Sequence, residues 1–298
     1  MTFPRTTLAL KSALAESGLA PRKGHGQCFL TDAQAVDAIV RDAGVTAADR
    51  VVEVGTGPGL LTHALAETGA EVVTFDIDPH LQALAKRLRV WPATVTFVAE
   101  DVLASKHALS ERFRAALAER PRAPGRLLVV SNLPYGAGTP ILLGVLAVED
   151  PPDELTVMVQ REVAEKMLSS PDDTEYGAPS VAVGLKARGK ILRRFGPQVF
   201  WPQPRVASAL LHLVPLRPSP MAVGEHEPFG VFVTALFSLR RKVLVSSLQH
   251  VVPGLDAGGA GAALASLSIA PQQRPQEIDP QRFLALWRAL GSPRPVAG

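Results

Sequence analysis

The chain has 298 residues, 47% hydrophobic and 20% charged, which is enough for one sizeable core and a smaller second one. It has no uninterrupted apolar run of about 18 residues, no compact apolar N-terminus with a cleavage site, and a single cysteine, Cys28. A membrane span, a secretory signal, an internal disulfide and a cysteine-built zinc site are therefore not expected, and a reducing cytoplasm is. The net charge of +3 is unevenly spread: residues 1–179 hold 17 Lys+Arg against 23 Asp+Glu, and residues 180–298 hold 14 against 5. A basic C-terminal part fits a polyanion such as nucleic acid, and fits a plain solvated surface equally well.

In chain order, Leu8, Leu14 and Leu19 give helical spacing over 6–19, followed by a basic, glycine-bearing connector at 21–26. Ala35, Val36, Ile39 and Val40 share one face of a helix over 32–43, with Thr31 or Asp32 as its cap. Residues 51–54 read as a strand running into glycines. A helix at 60–67, a strand at 71–76, a helix at 79–88 and a strand at 95–98 follow. A charged helix is expected over 110–120. Further strands are expected at 126–130, 155–159, 180–185 and 210–214, the last antiparallel by analogy with related sheets. The proline-rich stretch 215–228 reads as a linker. Helices are expected at 229–248 and 280–290, with a glycine- and alanine-rich break at 254–261. Alternating strands and helices imply an α/β, doubly wound parallel sheet with functional loops at the strand C-termini.

Two motifs carry chemistry. Gly55, Gly57 and Gly59 follow a strand, where glycine lets the backbone turn sharply and approach a ligand. A dinucleotide turn needs its third glycine at position 60, which is Leu60, so the turn departs from that pattern. Asp76 ends the next strand about 20 residues on, where a carboxylate can accept ribose hydroxyls. Asp78, next to Pro79, reads as a helix cap. Asp101 reads either as an acceptor for an adenine amine or as a loop cap.

The second motif is Asn132-Leu133-Pro134-Tyr135. Adenine N6 is a poor nucleophile because its lone pair is delocalised. The Asn132 side-chain carbonyl and the Leu133 backbone carbonyl, held by the fixed φ of Pro134, can accept both N6 hydrogens and favour a pyramidal nitrogen. Tyr135 can stack on an extruded base, a contact worth roughly 1–3 kcal/mol. Phe200 can cover the other face, whereas Trp201 reads as core. Both motifs in one chain indicate methyl transfer from S-adenosylmethionine to an adenine amine.

These residues resemble the rRNA adenine N6,N6-dimethyltransferases, a family with 16S- and 23S-directed branches. The resemblance spans nearly the whole chain: Gly26-Gln27-Cys28-Phe29-Leu30, Glu53 to Gly59, Asn132 to Tyr135, Gln160 to Ala164, Tyr176-Gly177, the block from Phe200 through Arg205 to Ser208, and Arg240-Arg241-Lys242. It implies a Rossmann-like methyltransferase domain over 1–218 and a small all-α rRNA-recognition domain over 219–298. Asn132, Leu133, Pro134, Tyr135 and Phe200 would form the catalytic set. Gln27, Cys28, Leu30, Glu53, Gly55, Gly57, Gly59, Asp76, Ile77, Asp101, Val102 and Asn132 would hold the cofactor. Arg22, Lys23, Arg205, Arg240, Arg241 and Lys242 are the implied RNA contacts; for the last three a solvated helix face is the competing reading. The implied reaction is dimethylation of two adjacent adenines near the 3′ end of 16S rRNA in the 30S particle, by a monomer and with a role in subunit biogenesis. A 23S-directed enzyme and a non-catalytic assembly factor are the alternatives.

Three residues depart from the family pattern: Cys28 for asparagine, Asp76 for glutamate, and Pro179 for an aliphatic residue. The first implies that a polar contact to the cofactor's amino-acid end is weakened or is supplied by backbone; in the former case Cys28→Asn should tighten binding.

Overall fold

The computed structural model describes residues 3–21, 27–105 and 108–294. Arg22 and Lys23 lie outside them.

Several helices begin where a side chain satisfies a free backbone N–H. The hydroxyl of Thr6 caps α1 (Thr7–Glu16) by accepting the Ala9 N–H. After β1 (Phe29–Leu30), Asp32 caps α2 (Ala33–Ala43), and Gly44 closes it at φ 60°, a left-handed conformation glycine adopts without steric cost. Then come β2 (Arg50–Val54), α3 (Leu60–Glu67) and β3 (Glu71–Asp76). In α4 (Pro79–Leu88) Asp78 is the cap and Pro79 sits in the first turn, where a missing N–H costs nothing. The chain continues through β4 (Val95–Ala99), β5 (Leu103–Ser105), β6 (Ala108–Leu109), α5 (Glu111–Ala118), β7 (Leu127–Asn132), α6 (Gly138–Val145), β8 (Glu154–Gln160), α7 (Arg161–Leu168) and α8 (Ala178–Lys186). The remaining elements are β9 (Ala187–Phe195), β10 (Phe200–Trp201), β11 (Ser208–Pro215), α9 (His226–Ser238), α10 (Leu244–Val251), α11 (Ala257–Ser266) and α12 (Pro280–Ala289).

Seven strands form one sheet in the order β4-β3-β2-β7-β8-β11-β9. From β4 to β8 the pairings are parallel, and β11 runs antiparallel to β8. Strand β7 is apolar at Leu127 to Val130 and buried there, as befits a strand covered on both faces. Beyond β2 the chain adds strands on one side (β3, β4), then returns to add them on the other (β7, β8). That reversal leaves a crevice at the C-terminal ends of β2 and β7, the usual ligand position in such sheets. The glycine turn follows β2, and Asn132 ends β7. The fold thus brings the two motifs to adjacent strand ends. A second, two-stranded sheet pairs Phe29 with Trp201 and Leu30 with Phe200.

The chain divides into two compact units: residues 1–164 with 189–215, and residues 165–188 with 216–298. The segment 165–188 therefore belongs with the C-terminal helices rather than with the unit that precedes it in sequence. Within that helical unit Phe232, Leu236, Leu248, Phe283 and Trp287 form the core. Residues 180–185, expected as a strand, lie in α8. Gly177 and Pro179 open a helix there, and Val181 and Leu185, one turn apart, both enter the helical core. The expected break at 254–261 is partly helical, because Asp256 caps α11 by accepting the Gly259 N–H at 2.7 Å. The helix expected over 229–248 is two helices, and the chain between them carries Arg240, Arg241 and Lys242. None of the helices among the described residues is long and apolar enough to cross a membrane.

Candidate active site

The crevice is a cavity of about 420 Å³, within the range of small-molecule sites. Its floor is set by backbone geometry. Gly55 lies at φ +88°, and its N–H donates to the Phe75 carbonyl at 2.7 Å. A Cβ there would stand 3.2 Å from the Asn132 carbonyl oxygen, so glycine is what lets the turn and the end of β7 approach each other. Gly57, at φ +51°, donates its N–H to Asp76 Oδ2 at 2.7 Å, and the Asp78 N–H donates to Asp76 Oδ1 at 2.8 Å. The Asp76 carboxylate thus locks the glycine turn to the end of β3 from within the cavity wall.

On the opposite wall every member of the tetrapeptide is tied down. Asn132 pairs with Met158 across the sheet, and the Leu133 N–H donates to the Met158 carbonyl at 3.1 Å. The Pro134 carbonyl accepts from Ala137 and Gly138 as the chain turns into α6. The phenol of Tyr135 shares a 2.7 Å hydrogen bond with Ser208 Oγ. Asn132 Nδ2 donates to the Cys28 carbonyl at 3.1 Å. A backbone carbonyl only accepts, so the amide nitrogen must face Cys28 and the amide oxygen must face away. That oxygen, Asn132 Oδ1, is buried and has no hydrogen-bond partner among the described residues. A buried acceptor without a donor costs about 1–3 kcal/mol. In a cavity wall it is what a ligand N–H would satisfy.

Of the residues expected to contact the cofactor, Gln27, Cys28, Gly55, Gly57, Asp76, Ile77, Asp101, Val102 and Asn132 line the cavity. Asp101 does so while capping its own loop, its Oδ1 accepting the Leu103 N–H at 2.9 Å, so the two alternative roles coexist. Four expected site residues stand behind the wall. Leu30 packs in the core. Gly59 starts α3, and a Cβ there would meet Ala85 and Trp91. Phe200 is 2% exposed, with its ring edge-on to Tyr135 at 6.3 Å between centroids and 71° between planes.

Glu53 is the fourth, at 0% exposure. Its Oε2 accepts the Thr62 hydroxyl at 2.6 Å, tying β2 to the helix that follows the turn. Burial pushes its carboxyl up to about 8. A carboxyl raised above its unfolded value of 4.5 contributes stability that is full below that value and is lost progressively as pH rises from there through about 8. Glu53→Gln keeps an acceptor for Thr62 and cannot ionise. In thermal melts of both proteins from pH 4 to 9, the wild type should lose stability relative to the variant at up to about 1.4 kcal/mol per pH unit between the unfolded value and about 8, and the difference should level off above that. Parallel curves would reject an ionising Glu53.

Cys28 contributes to Asn132 through its backbone, whatever its side chain, while its half-buried thiol lines the cavity. Cys28→Asn keeps the carbonyl tie and adds an amide to the wall. One added hydrogen bond, worth about 1 kcal/mol, predicts roughly fivefold tighter cofactor binding by calorimetric titration. Unchanged affinity would reject a deficit at this position.

Arg205, in the first unit, is exposed, as are Arg240, Arg241 and Lys242 in the second. Arg240 donates to the Thr174 carbonyl at 3.3 Å, so part of its role is within its own unit. Sequence reasoning missed several wall residues. Phe29 lies inside the motif at 26–30, but Ala137 precedes and Ile141 lies on α6, a short helix rich in glycine, proline and β-branched residues that gives little helical signal. Ser208 sits 73 residues from the tyrosine it holds, and no local pattern marks that pairing.

The site's residues fit S-adenosylmethionine: a carboxylate and glycine cradle on one wall for the nucleoside, and an unsatisfied acceptor on the other for the substrate amine. Residues 19–269 match the family Ribosomal RNA adenine dimethylase. The chain is 36% identical over 284 residues to Ribosomal RNA small subunit methyltransferase A of Brucella suis, covering 94% of this chain and 96% of that protein. It is 34% identical to the protein of the same name from Bifidobacterium adolescentis, covering 94% and 92%. Its fold is similar to a dimethyladenosine transferase from Plasmodium falciparum, with a TM-score of 0.71 and 19% identity over 89% of this chain and 99% of that one. It is also similar to the 23S rRNA methyltransferase ErmE, with a TM-score of 0.59 and 24% identity over 88% and 99%.

Proposed function

The chain belongs to the ribosomal RNA adenine dimethylase family, and from that premise we propose that it uses S-adenosylmethionine to methylate adenine N6 in small-subunit rRNA, twice on each of two adjacent adenines near the 3′ end. The observation that carries this reading is the buried Oδ1 of Asn132, which has no hydrogen-bond partner among the described residues. Its orientation is enforced by the Cys28 carbonyl, and an exocyclic amine is a donor that fits it. The relatives named for the small subunit support that substrate.

S-adenosylmethionine, when bound, supplies an electrophilic methyl group on a sulfonium. The chain's own residues do the rest. Asp76 offers the ribose hydroxyls a carboxylate already fixed by two backbone N–H groups. Asn132 Oδ1 and the Leu133 carbonyl accept the N6 hydrogens, which draws the nitrogen lone pair out of conjugation. Tyr135 covers one face of the base and fixes its tilt. No side chain need act as a base before attack, because the alkylated nitrogen sheds its surplus proton to water. Catalysis is then chiefly positioning, worth up to about 7–11 kcal/mol where alignment is good.

The test incubates the protein with labelled S-adenosylmethionine and unmethylated 30S particles, with 23S RNA in parallel, then digests the RNA to nucleosides. N6,N6-dimethyladenosine from 30S particles alone supports the proposal. Product from 23S RNA alone moves the substrate. No product, with cofactor binding demonstrated, leaves an assembly factor that binds RNA without modifying it.

A further inference from the structure

We infer that Ser208 is a positioning residue for the reaction: it fixes the axis of the Tyr135 ring so that the ring's face is presented to the target base before the base arrives. The inference rests on the proposed stacking role of Tyr135.

A tyrosine ring has two rotations to settle. The first, about Cα–Cβ, swings the whole ring. The second, about Cβ–Cγ, spins it in place and is intrinsically soft. The phenolic oxygen lies on the axis of the second rotation, so a hydrogen bond to it restrains the swing far more than the spin. Ser208 supplies that restraint. It is 0% exposed, opens β11 directly opposite Gln160 of β8, and meets the phenol at 2.7 Å. Because β11 and β8 are paired along their length, the serine hydroxyl is anchored to the main sheet rather than to a loop. Phe200 supplies the other restraint. Its buried ring stands edge-on to Tyr135, which resists the spin, and is itself held in a strand pairing with Leu30. The two restraints act on different degrees of freedom, and together they leave Tyr135 with one orientation on the cavity wall. With the phenol committed to Ser208, the ring offers the base its π-face and no polar contact, so it does not discriminate between an adenine and its monomethylated product. A second methyl transfer in the same site has need of that tolerance.

The test is a double-mutant cycle read in kcat/KM for the RNA substrate. Ser208→Ala and Tyr135→Phe each break the same bond while keeping the stacking ring. Each should lower kcat/KM about three- to tenfold, the value of one hydrogen bond. The double variant should be no worse than either single one, and Ser208→Thr, which retains a hydroxyl, should recover activity. Cofactor affinity should not move in any of them. Losses that multiply in the double variant, or full activity in Ser208→Ala, would overturn the inference. So would a loss confined to thermal stability or cofactor binding. Tyr135→Ala separates this from the stacking role itself. If that variant is as active as the wild type, the stacking reading fails. If it is strongly impaired while Ser208→Ala is not, only the tether fails.

Discussion

Asn132→Ala is expected to lower methyl transfer by about 10²–10³-fold, the usual cost of removing one preorganised polar group from a reacting centre. The loss should fall on the chemical step. In the folded protein the amide does two separable things: its nitrogen donates to the Cys28 carbonyl, and its oxygen lies buried with no donor among the described residues. The alanine variant removes both. Asn132→Asp isolates the second. A carboxylate can still accept from an amine, but it cannot donate to Cys28, and one of its oxygens would face that carbonyl at about the distance now occupied by a hydrogen bond. Both variants should therefore be strongly impaired in single-turnover assays at saturating cofactor and RNA, with a far smaller change in cofactor affinity. Near-normal turnover in Asn132→Asp would mean that orientation by Cys28 is not needed and that any acceptor at this position suffices.

Much of this site was legible from sequence, for reasons that vary with the residue. The elements at 60–67, 71–76 and 79–88 are bounded by glycine, aspartate and proline, whose backbone preferences act locally, and the structure places them at those positions. The segment 180–185 was not legible. Its apolar residues recur in a way that suits a strand, and only Gly177, Pro179 and the distant residues of the helical core select a helix. Glu53 shows a different limit. A polar residue beside a glycine turn reads as part of the ligand wall, yet strand geometry turns it inward, where Thr62 receives it. Cys28 shows a third. The substitution at this position alters a side chain, whereas the contact that orients Asn132 comes from a backbone carbonyl 104 residues away in sequence, which no residue type encodes.

The reversal in strand order explains why these long-range contacts can be made at all. Strands β2 and β7 are neighbours in space though more than seventy residues apart in sequence, and the Val54 N–H at the end of β2 donates to the buried Ser131 hydroxyl at 2.8 Å. That bond sets the two strand ends level. The close approach of Gly55 to the Asn132 carbonyl follows from it, and so does the placement of the cofactor turn opposite the substrate acceptor.

Asp76→Ala should give the second large effect, on binding rather than on chemistry: a loss of S-adenosylmethionine affinity of at least about 100-fold, with a fall in stability of about 2–4 kcal/mol. The stability cost follows from the two N–H groups, of Gly57 and Asp78, that end on this carboxylate in a buried position. The binding cost adds the lost ribose acceptor to the loosened turn, since Gly57 is then held at its left-handed φ without its partner. A carboxylate has about four acceptor positions, so the backbone donors and a ribose can share it. Asp76→Glu distinguishes the two contributions. It keeps the charge and lengthens the arm by one methylene, as in the family pattern, and should bind the cofactor within about tenfold of the wild type, one misplaced hydrogen bond. Calorimetric titration and thermal melts of both variants decide the matter. If Asp76→Ala melts early but binds the cofactor as tightly as the wild type, the carboxylate is a structural clasp for the turn, and the ribose must be held elsewhere on the cavity wall.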